Sequence, residues 1–148
     1  MADLFLEEGT IVRTEGRDGK PVENLLRHYR AHPEGVEPEV PMVTLIDHRS
    51  ASASEIVAGS LSLLGRAALL GQDSHGKGTV QKLYTLRGGG QADRVRFKLT
   101  VARYRLAGDV TIETGVGLAP DLAVAKARFT RGGVSLPQSA LELSLIHI

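Results

Sequence analysis

A chain of 148 residues with a net charge of +1 has room for one domain and a hydrophobic core, and its charged and apolar fractions are ordinary for a globular protein. Cysteine is absent, which excludes disulfides, thiolate catalysis and cysteine-bound zinc. No apolar run approaches the roughly 20 residues that a bilayer span needs, and no basic stripe with interleaved aromatic residues indicates a nucleic-acid partner.

The first forty residues predict short strands, turns and loops. Residues 11–14 predict a strand, and residues 17–20 (RDGK) predict a turn. Residues 22–32 fit a helical period and also the second arm of a hairpin, so both structures stay open for this segment. Residues 33–41 contain three prolines and three glutamates and predict an exposed loop.

A strand–helix–strand unit follows. Residues 42–46 (MVTLI) are apolar and rich in β-branched side chains, which predicts a strand buried on both faces. Residues 52–64 have helical periodicity that ends at Gly65, and residues 67–70 (AALL) predict a second buried strand. This order indicates a βαβ unit with a parallel sheet, and therefore the α/β fold class.

The second half of the chain predicts mainly antiparallel strands. Residues 79–86 and 95–104 flank three glycines and predict a hairpin, and residues 110–113 predict another short strand. In the tail, Pro137 is well placed for the first turn of a short helix over residues 137–143.

The turn before the predicted helix contains candidate nucleophiles, because Ser50, Ser52 and Ser54 alternate with alanines. Small neighbours let a serine hydroxyl stand exposed at a sharp turn, and the first N–H groups of a helix can hold a developing oxyanion. The competing interpretation is helix capping, since serine followed three residues later by Glu55 is a common capping box. The pattern alone favours capping.

A serine nucleophile needs a base. His48 and His75 lie near the candidate loops, but no third residue convincingly orients either of them. Lys77 is the other candidate, because a lysine desolvated in an apolar pocket loses its proton near neutral pH. Burial of Lys77 is plausible in a glycine-rich loop after a buried strand, although such loop lysines are more often exposed.

The same loop nearly matches a phosphate-binding signature. Gly71, Gly76 and Lys77 have the spacing of G-x-x-x-x-G-K after a strand. Gly78 stands where the magnesium-binding hydroxyl should be, and no good helix follows. The match is weak, but it keeps a nucleotide-binding or phosphate-binding protein open as an alternative.

Taken in order, the motifs of this chain resemble those of the carboxy-terminal processing (tail-specific) peptidases. The matching segments are ADLFL at 2–6, EGTIV at 8–12, SASASEI at 50–56, GRA at 65–67, GKGTVQ at 76–81, KLTVARY at 98–104 and GLAPD at 117–121. Each motif is modest by itself, and their combined order and spacing are highly specific.

The resemblance implies Ser52 as the nucleophile, Lys77 as the general base and Gln81 as the residue that orients the base. It also implies the Ala53 N–H as one oxyanion donor. The implied enzyme is a serine endopeptidase that cleaves unfolded or C-terminally tagged polypeptides by acyl transfer, without metal or cofactor and without a nucleic-acid partner. A non-catalytic peptide-binding relative is a further alternative.

The implied fold is a ClpP/crotonase-like α/β spiral, of which residues 1–125 would be a partial catalytic core lacking the PDZ domain and the N-terminal part. Residues 126–148 would be a tail, and residues 143–148 (LSLIHI) resemble adapter read-through, so we expect them to be non-native. We expect the parent protein in the periplasm or cell envelope, although no leader is present. Without an upstream glycine turn that supplies the second oxyanion donor, we expect little activity from this fragment alone.

Overall fold

The computed structural model describes residues 1–20, 22, 25, 28–33, 40–87, 94–124, 128–130 and 133–135. Within these ranges one α-helix, α1 (Ala53–Leu63), and nine strands are present. The strands are β1 (Thr10–Glu15), β2 (His28–Arg30), β3 (Val43–Ile46), β4 (Ala68–Gly71), β5 (Thr79–Arg87), β6 (Arg94–Arg105), β7 (Leu122–Ala123), β8 (Arg128–Thr130) and β9 (Gly133–Ser135).

The predicted βαβ unit is confirmed. Strands β3 and β4 pair in parallel, with Val43 opposite Ala68 and Ile46 opposite Gly71, and α1 connects them. Strand β7 adds in parallel to the other side of β4. The sequence did not predict β7, because a strand of two residues is too short to show a periodicity. The α/β fold class is confirmed as well.

The helix ends as the sequence predicts. Gly65 adopts φ +71°, which a residue with a side chain adopts only with strain. Its N–H donates to the carbonyl of Ser62 at 2.9 Å, and the N–H of Arg66 donates to the carbonyl of Leu61 at 2.8 Å. This pair of hydrogen bonds is a Schellman motif, which satisfies carbonyl groups that the helix would otherwise leave free.

The remaining long strands form an antiparallel sheet in the order β2-β1-β6-β5. The predicted hairpin is confirmed, since β5 and β6 pair from Thr79 opposite Arg103 to Arg87 opposite Arg94. The pairing register shifts between Val80 and Gln81, which marks a β-bulge. For residues 22–32 the sequence allowed either a helix or the second arm of a hairpin. Within this segment, residues 28–30 form β2, which pairs with β1.

Helix α1 packs between the two sheets. On one side Leu61 joins a buried cluster with Ile11, Val12 and Leu106. On the other side Ala58 packs with Ile46 and Leu69 of the parallel sheet. The buried hydroxyl of Ser60 lies 2.8 Å from the carbonyl oxygen of Ile11, which adds a polar link between α1 and β1.

Two expectations from the sequence are wrong. Strand β3 is not buried on both faces, because α1 covers one face and leaves Val43 and Leu45 exposed by 57% and 74%. Residues 110–113 do not form a strand, since Thr111 makes only an isolated bridge with Arg105.

The tail contains a short hairpin of β8 and β9. The helix predicted over residues 137–143 lies outside the described residues, and the division of the chain after residue 125 stays a prediction. In the described part of the chain, no helix has the length and apolarity that crossing a membrane requires.

Candidate active site

Ser52 has an unusual backbone conformation at the turn from β3 to α1. Its φ is +56° and its ψ is −112°, close to the second residue of a type II′ turn. A residue with a side chain pays on the order of 1–3 kcal/mol of strain in such a region. The sequence anticipated a sharp turn around an exposed serine, and this backbone geometry agrees with that expectation.

The neighbouring serines have local roles. The Ser50 hydroxyl accepts a hydrogen bond from the Asp47 N–H at 3.1 Å, and the Ser50 N–H donates to the Asp47 carbonyl at 2.8 Å. Ser52 is the N-cap residue of α1, and its backbone N–H donates to the Glu55 side chain at 2.8 Å, so the glutamate half of the predicted capping box is present. The Ser52 hydroxyl keeps its own proton, which it can donate to a base.

Glu55 joins the nucleophile turn to the glycine-rich loop. Its side chain is fully buried. One carboxylate oxygen, Oε2, accepts from the Ser52 N–H and the Lys77 N–H, both at 2.8 Å. The other oxygen, Oε1, accepts from the Gly76 N–H at 2.7 Å and from the Ser74 hydroxyl at 2.5 Å. Four donors from two segments of the chain therefore converge on one carboxylate.

The pKa of Glu55 shows how these donors act. Burial is the largest single influence and by itself would raise the pKa. The hydrogen bonds from Ser74, Lys77, Gly76 and Ser52 together outweigh burial, so the pKa of the Glu55 carboxyl is lowered. Glu55 is therefore ionised at neutral pH, and its charge is stabilised by the loop and turn that it connects.

The two glycines around Lys77 let the loop approach residues 112–117 closely. Gly76 has φ +78°, and a Cβ atom there would lie 2.5 Å from the carbonyl oxygen of Glu113. A Cβ atom at Gly78 would collide with the carbonyl oxygen of Ile112. The G-K-G motif thus has a steric reason that does not depend on chemistry at Lys77.

The phosphate-binding alternative loses its site. The Gly76 and Lys77 N–H groups already bind Glu55, and the His75 N–H donates to the Ser50 carbonyl at 2.9 Å. The anion that this loop holds is thus a carboxylate of the chain itself. Strand β5, rather than a helix, follows the loop, so the helix dipole that supports phosphate binding is absent there.

Ser52, Lys77 and Gln81 line one cleft of about 300 Å³. Lys98 and Tyr104, which sequence reasoning did not single out, line it too. Larger clefts of about 420 and 400 Å³ lie around Glu15 and contain none of the candidate residues. The smaller cleft is the candidate active site, because the strained Ser52 and the loop that carries Lys77 meet there.

The environment of Lys77 differs from the expected one. Its side chain is exposed, not buried in an apolar pocket. Both residues lie in the described part of the chain, and no hydrogen bond joins the Ser52 hydroxyl to the Lys77 amine. Ala53, the expected oxyanion donor, is the first residue of α1.

The histidines do not form a competing site. His48 and His75 are exposed and do not line the cleft. The Asp47 carboxylate binds Arg49 through its backbone N–H at 2.8 Å and its guanidinium at 2.9 Å, and these bonds lower the pKa of Asp47. Within the described ranges, no cluster of three potential metal ligands occurs.

Sequence reasoning missed the central position of Glu55, which it interpreted only as half of a capping box. It also missed Ser74, whose hydroxyl donates to Glu55 and accepts from the Leu118 N–H at 2.7 Å. The signal for Glu55 was its place in the apolar first half of the helix, where a lone acid requires buried donors. No signal in the sequence distinguished Ser74 from an ordinary loop serine.

A model of peptidase family S41 matches residues 1–124. The carboxy-terminal-processing protease of Bartonella bacilliformis is 38% identical over 124 residues, which are 84% of this chain and 26% of that protein. The carboxyl-terminal-processing protease of Synechocystis sp. is 33% identical over 148 residues, covering 97% of this chain and 32% of that protein. The chain thus spans about a quarter to a third of these relatives.

Solved structures agree. A photosystem II D1 C-terminal processing protease is similar with a TM-score of 0.69 and 28% identity, covering 83% of this chain and 29% of that one. A putative peptidase from Parabacteroides merdae has a TM-score of 0.65 at 19% identity, covers 97% of this chain and 45% of that one, and supports the fold alone. These neighbours are consistent with a partial spiral core. The family resemblance seen in the sequence is confirmed: this chain belongs to peptidase family S41.

Proposed function

We propose that this chain carries the nucleophile and base of a serine endopeptidase that cleaves polypeptides by acyl transfer. The observation that supports the proposal most is the shared cleft of Ser52, Lys77 and Gln81, with Ser52 in a strained turn conformation. The relatives named as carboxyl-terminal-processing proteases support the same reaction class.

In the proposed reaction Ser52 Oγ attacks the scissile carbonyl carbon while the neutral Lys77 amine takes the hydroxyl proton. The N–H of Ala53, at the start of α1, donates to the oxyanion of the tetrahedral intermediate. Lys77 then gives its proton to the leaving amine as the C–N bond breaks, which leaves an acyl-enzyme. A water molecule, deprotonated by Lys77, attacks the ester carbonyl carbon, and Lys77 returns the proton to Ser52 Oγ as the bond between Oγ and the acyl group breaks.

Gln81 would orient the base. Its side-chain carbonyl can accept from the Lys77 amine without requiring that the amine be charged. Gln81 lines the same cleft as Lys77, which supports this role. A β-bulge lies directly across the hairpin, since Val101 of β6 is the extra residue opposite the step from Val80 to Gln81.

The exposure of Lys77 is the observation that favours a second candidate, a non-catalytic peptide-binding relative. A lysine base works best where water is excluded, and the open cleft does not exclude water by itself. The proposed peptidase therefore requires that the bound polypeptide cover the cleft and exclude water from Lys77.

We also propose that the substrates are unfolded or C-terminally tagged proteins and that the parent protein works in the periplasm or cell envelope. The names of the relatives, carboxyl-terminal-processing proteases, support cleavage near a carboxyl terminus. The origins of the relatives support the proposed location less directly, since the matching relatives include bacterial proteins and chloroplastic ones.

The direct test is covalent labelling of the 148-residue chain with a serine-reactive fluorophosphonate, followed by mass spectrometry of its peptides. We expect the label on Ser52 and its loss in Ser52→Ala, whereas Ser50→Ala and Ser54→Ala keep it. Absence of label on Ser52 at neutral and alkaline pH, in this chain and also after residues 1–124 replace the matching segment of the Bartonella bacilliformis protease, would instead support the non-catalytic candidate.

A further inference from the structure

The hairpin of β5 and β6 is strongly basic. It carries seven lysine and arginine residues, two on β5 and five on β6, and no aspartate or glutamate. In the whole chain basic and acidic residues nearly balance, at 18 and 17. The positive charge of the protein is thus concentrated on the element that forms one wall of the candidate active site.

The pairing register divides this hairpin into two faces, because directly opposite residues share a face and successive residues alternate. Leu83 lies opposite Lys98, on the face that lines the cleft. Thr85 lies opposite Arg96 on the same face. The opposite face carries Lys82 and the aromatic and aliphatic residues Tyr84, Leu86, Val95, Phe97 and Leu99.

Lys98 is an unpaired cation in the cleft. Its side chain is exposed, and among the described residues neither Lys98 nor Arg96 has an acidic partner. The cleft is lined by no acidic residue of the described ranges. Leu83 is two residues beyond Gln81 along β5, so the two side chains are on the order of 7 Å apart. Alternate side chains of an extended peptide have the same spacing.

We propose that Lys98 and Leu83 form a substrate subsite that selects polypeptides presenting a carboxylate beside the catalytic residues. This inference rests on the proposed function, because it takes from it that the substrate is a polypeptide. Leu83, exposed by 54%, contacts the aliphatic part of an acidic side chain, and the Lys98 ammonium pairs with its carboxylate. The substrate class is therefore an extended polypeptide with an acidic side chain one or two residues from the bond cleaved.

A nucleic acid fits these cations less well. Binding of single strands combines cations for phosphates with aromatic rings on which bases stack. Here Tyr84 and Phe97 stack on each other, 5.5 Å apart and nearly parallel, on the face opposite Lys98. Among the described residues that line the cleft, Tyr104 is aromatic, but it is partly buried against the hydrophobic core. The residue directly opposite Lys98 is the aliphatic Leu83, so the cleft face offers charge and an aliphatic contact there.

The test measures binding without cleavage, using the full 148-residue chain with Ser52→Ala. The probes are fluorescent octapeptides with a C-terminal amide and an otherwise neutral sequence. Each peptide has a single Glu, placed at a different position in each member of the series, and matched peptides have Gln or Lys at that position. We expect one Glu position to bind about five-fold more tightly than its Gln counterpart, the size of a partly exposed charge pair, and the difference to shrink with salt. A Gln peptide with a free C-terminus tests whether the α-carboxylate serves as well.

Charge reversal isolates the subsite. In Lys98→Glu we expect the preference to move from the Glu peptide to the Lys peptide. Lys82→Glu is the matched control, because Lys82 lies on the opposite face of the same hairpin, and its preference should stay within about two-fold of the parent. Three results overturn the proposal. No peptide binds at millimolar concentration, the peptide preference changes equally in Lys98→Glu and Lys82→Glu, or a single-stranded oligonucleotide binds the protein more tightly than any peptide in a way that depends on Lys98.

The phosphonate test of the proposed function is independent of this measurement. If Ser52 is not labelled while the Lys98-dependent preference persists, the peptidase proposal fails and the subsite proposal stands. If Ser52 is labelled and no Glu preference occurs, the subsite proposal alone fails.

Discussion

Ser52 and Lys77 donate their backbone N–H groups to the same atom, Oε2 of Glu55, at 2.8 Å each. One buried carboxylate therefore sets the separation of the turn that carries the candidate nucleophile and the loop that carries the candidate base. The side chains of both residues remain free of this contact. Positions 50–56 and 76–78, which looked like separate motifs in the sequence, are one hydrogen-bonded unit.

Replacing Glu55 with glutamine should disturb this unit at nearly constant volume. The amide group would place N–H donors against two of the four existing donors, so we expect a loss of about 1–3 kcal/mol in the free energy of unfolding. We also expect labelling of Ser52 to slow by at least about ten-fold, because the nucleophile and base would no longer share an anchor. The measurements are denaturant unfolding and labelling rates at a temperature where both proteins are folded.

Ser60→Ala is the matched control for Glu55→Gln. Ser60 is equally buried on the same helix, but its hydroxyl lies within hydrogen-bonding distance of the carbonyls of Ile11 and Ile56, away from the cleft. The Ser60→Ala variant should be less stable than the parent, and its Ser52 should be labelled at the parent rate. If labelling falls in both variants in proportion to stability, Glu55 has no role beyond holding the fold.

The lowered pKa of Glu55 predicts a pH dependence of stability. Because the folded-state pKa lies below the unfolded value of 4.5, the ionised carboxylate stabilises the fold above about pH 4.5. That contribution is lost as the pH falls through the folded-state pKa. Melting temperatures measured from pH 7 downwards should therefore fall less steeply below pH 4.5 in Glu55→Gln than in the parent.

Asp47→Asn provides the comparison for this acid effect. The pKa of Asp47 is also lowered, chiefly by the hydrogen bond from the Arg49 backbone N–H, but this turn is exposed to solvent. Its replacement should change the acid slope less than Glu55→Gln does. Parallel slopes for Glu55→Gln and the parent would contradict the assignment of the effect to Glu55.

The identity of the base can be tested by substitution in a complete enzyme. Residues 1–124 would replace the matching segment of the Bartonella bacilliformis protease, of which they align with 26%. Lys77→Ala should then lower turnover of an unfolded protein by about 10²–10⁴-fold, the usual contribution of a general base. His75→Ala and His48→Ala should keep most of the activity. A Lys77→Ala enzyme with unchanged turnover would refute the proposed mechanism.

Gly76 should respond to substitution differently from Gly108, although both have positive φ. Gly76→Ala combines unfavourable φ with a contact of 2.5 Å to the Glu113 carbonyl oxygen, whereas Gly108, with φ +64°, has no neighbour within 4 Å of an added Cβ. We expect Gly108→Ala to cost about 1–2 kcal/mol of strain alone. Gly76→Ala should cost clearly more in the same denaturant titration. Equal losses would show that the loop relaxes and that its close approach to residues 112–117 is not needed.

The sequence by itself determined the local elements of this protein. The βαβ unit, the end of α1 at Gly65 and the hairpin of β5 and β6 all follow from periodicity and turn chemistry within about a dozen residues. The family was recognisable from the order of short motifs, and Ser52, Lys77 and Gln81 were singled out on that basis. Their presence in one cleft agrees with the expectation, and their catalytic roles stay a prediction.

Only the tertiary structure decided which faces are covered and which distant groups meet. The apolar run of β3 indicated burial, but whether Val43 and Leu45 are covered depends on what packs over them, which is not a local property. Likewise the capping role of Glu55, at the third position of α1, is a local property that its sequence neighbours explain. That Glu55 also receives the N–H groups of Gly76 and Lys77 depends on the parallel register of β3 and β4, which brings the loop after β4 beside the turn after β3.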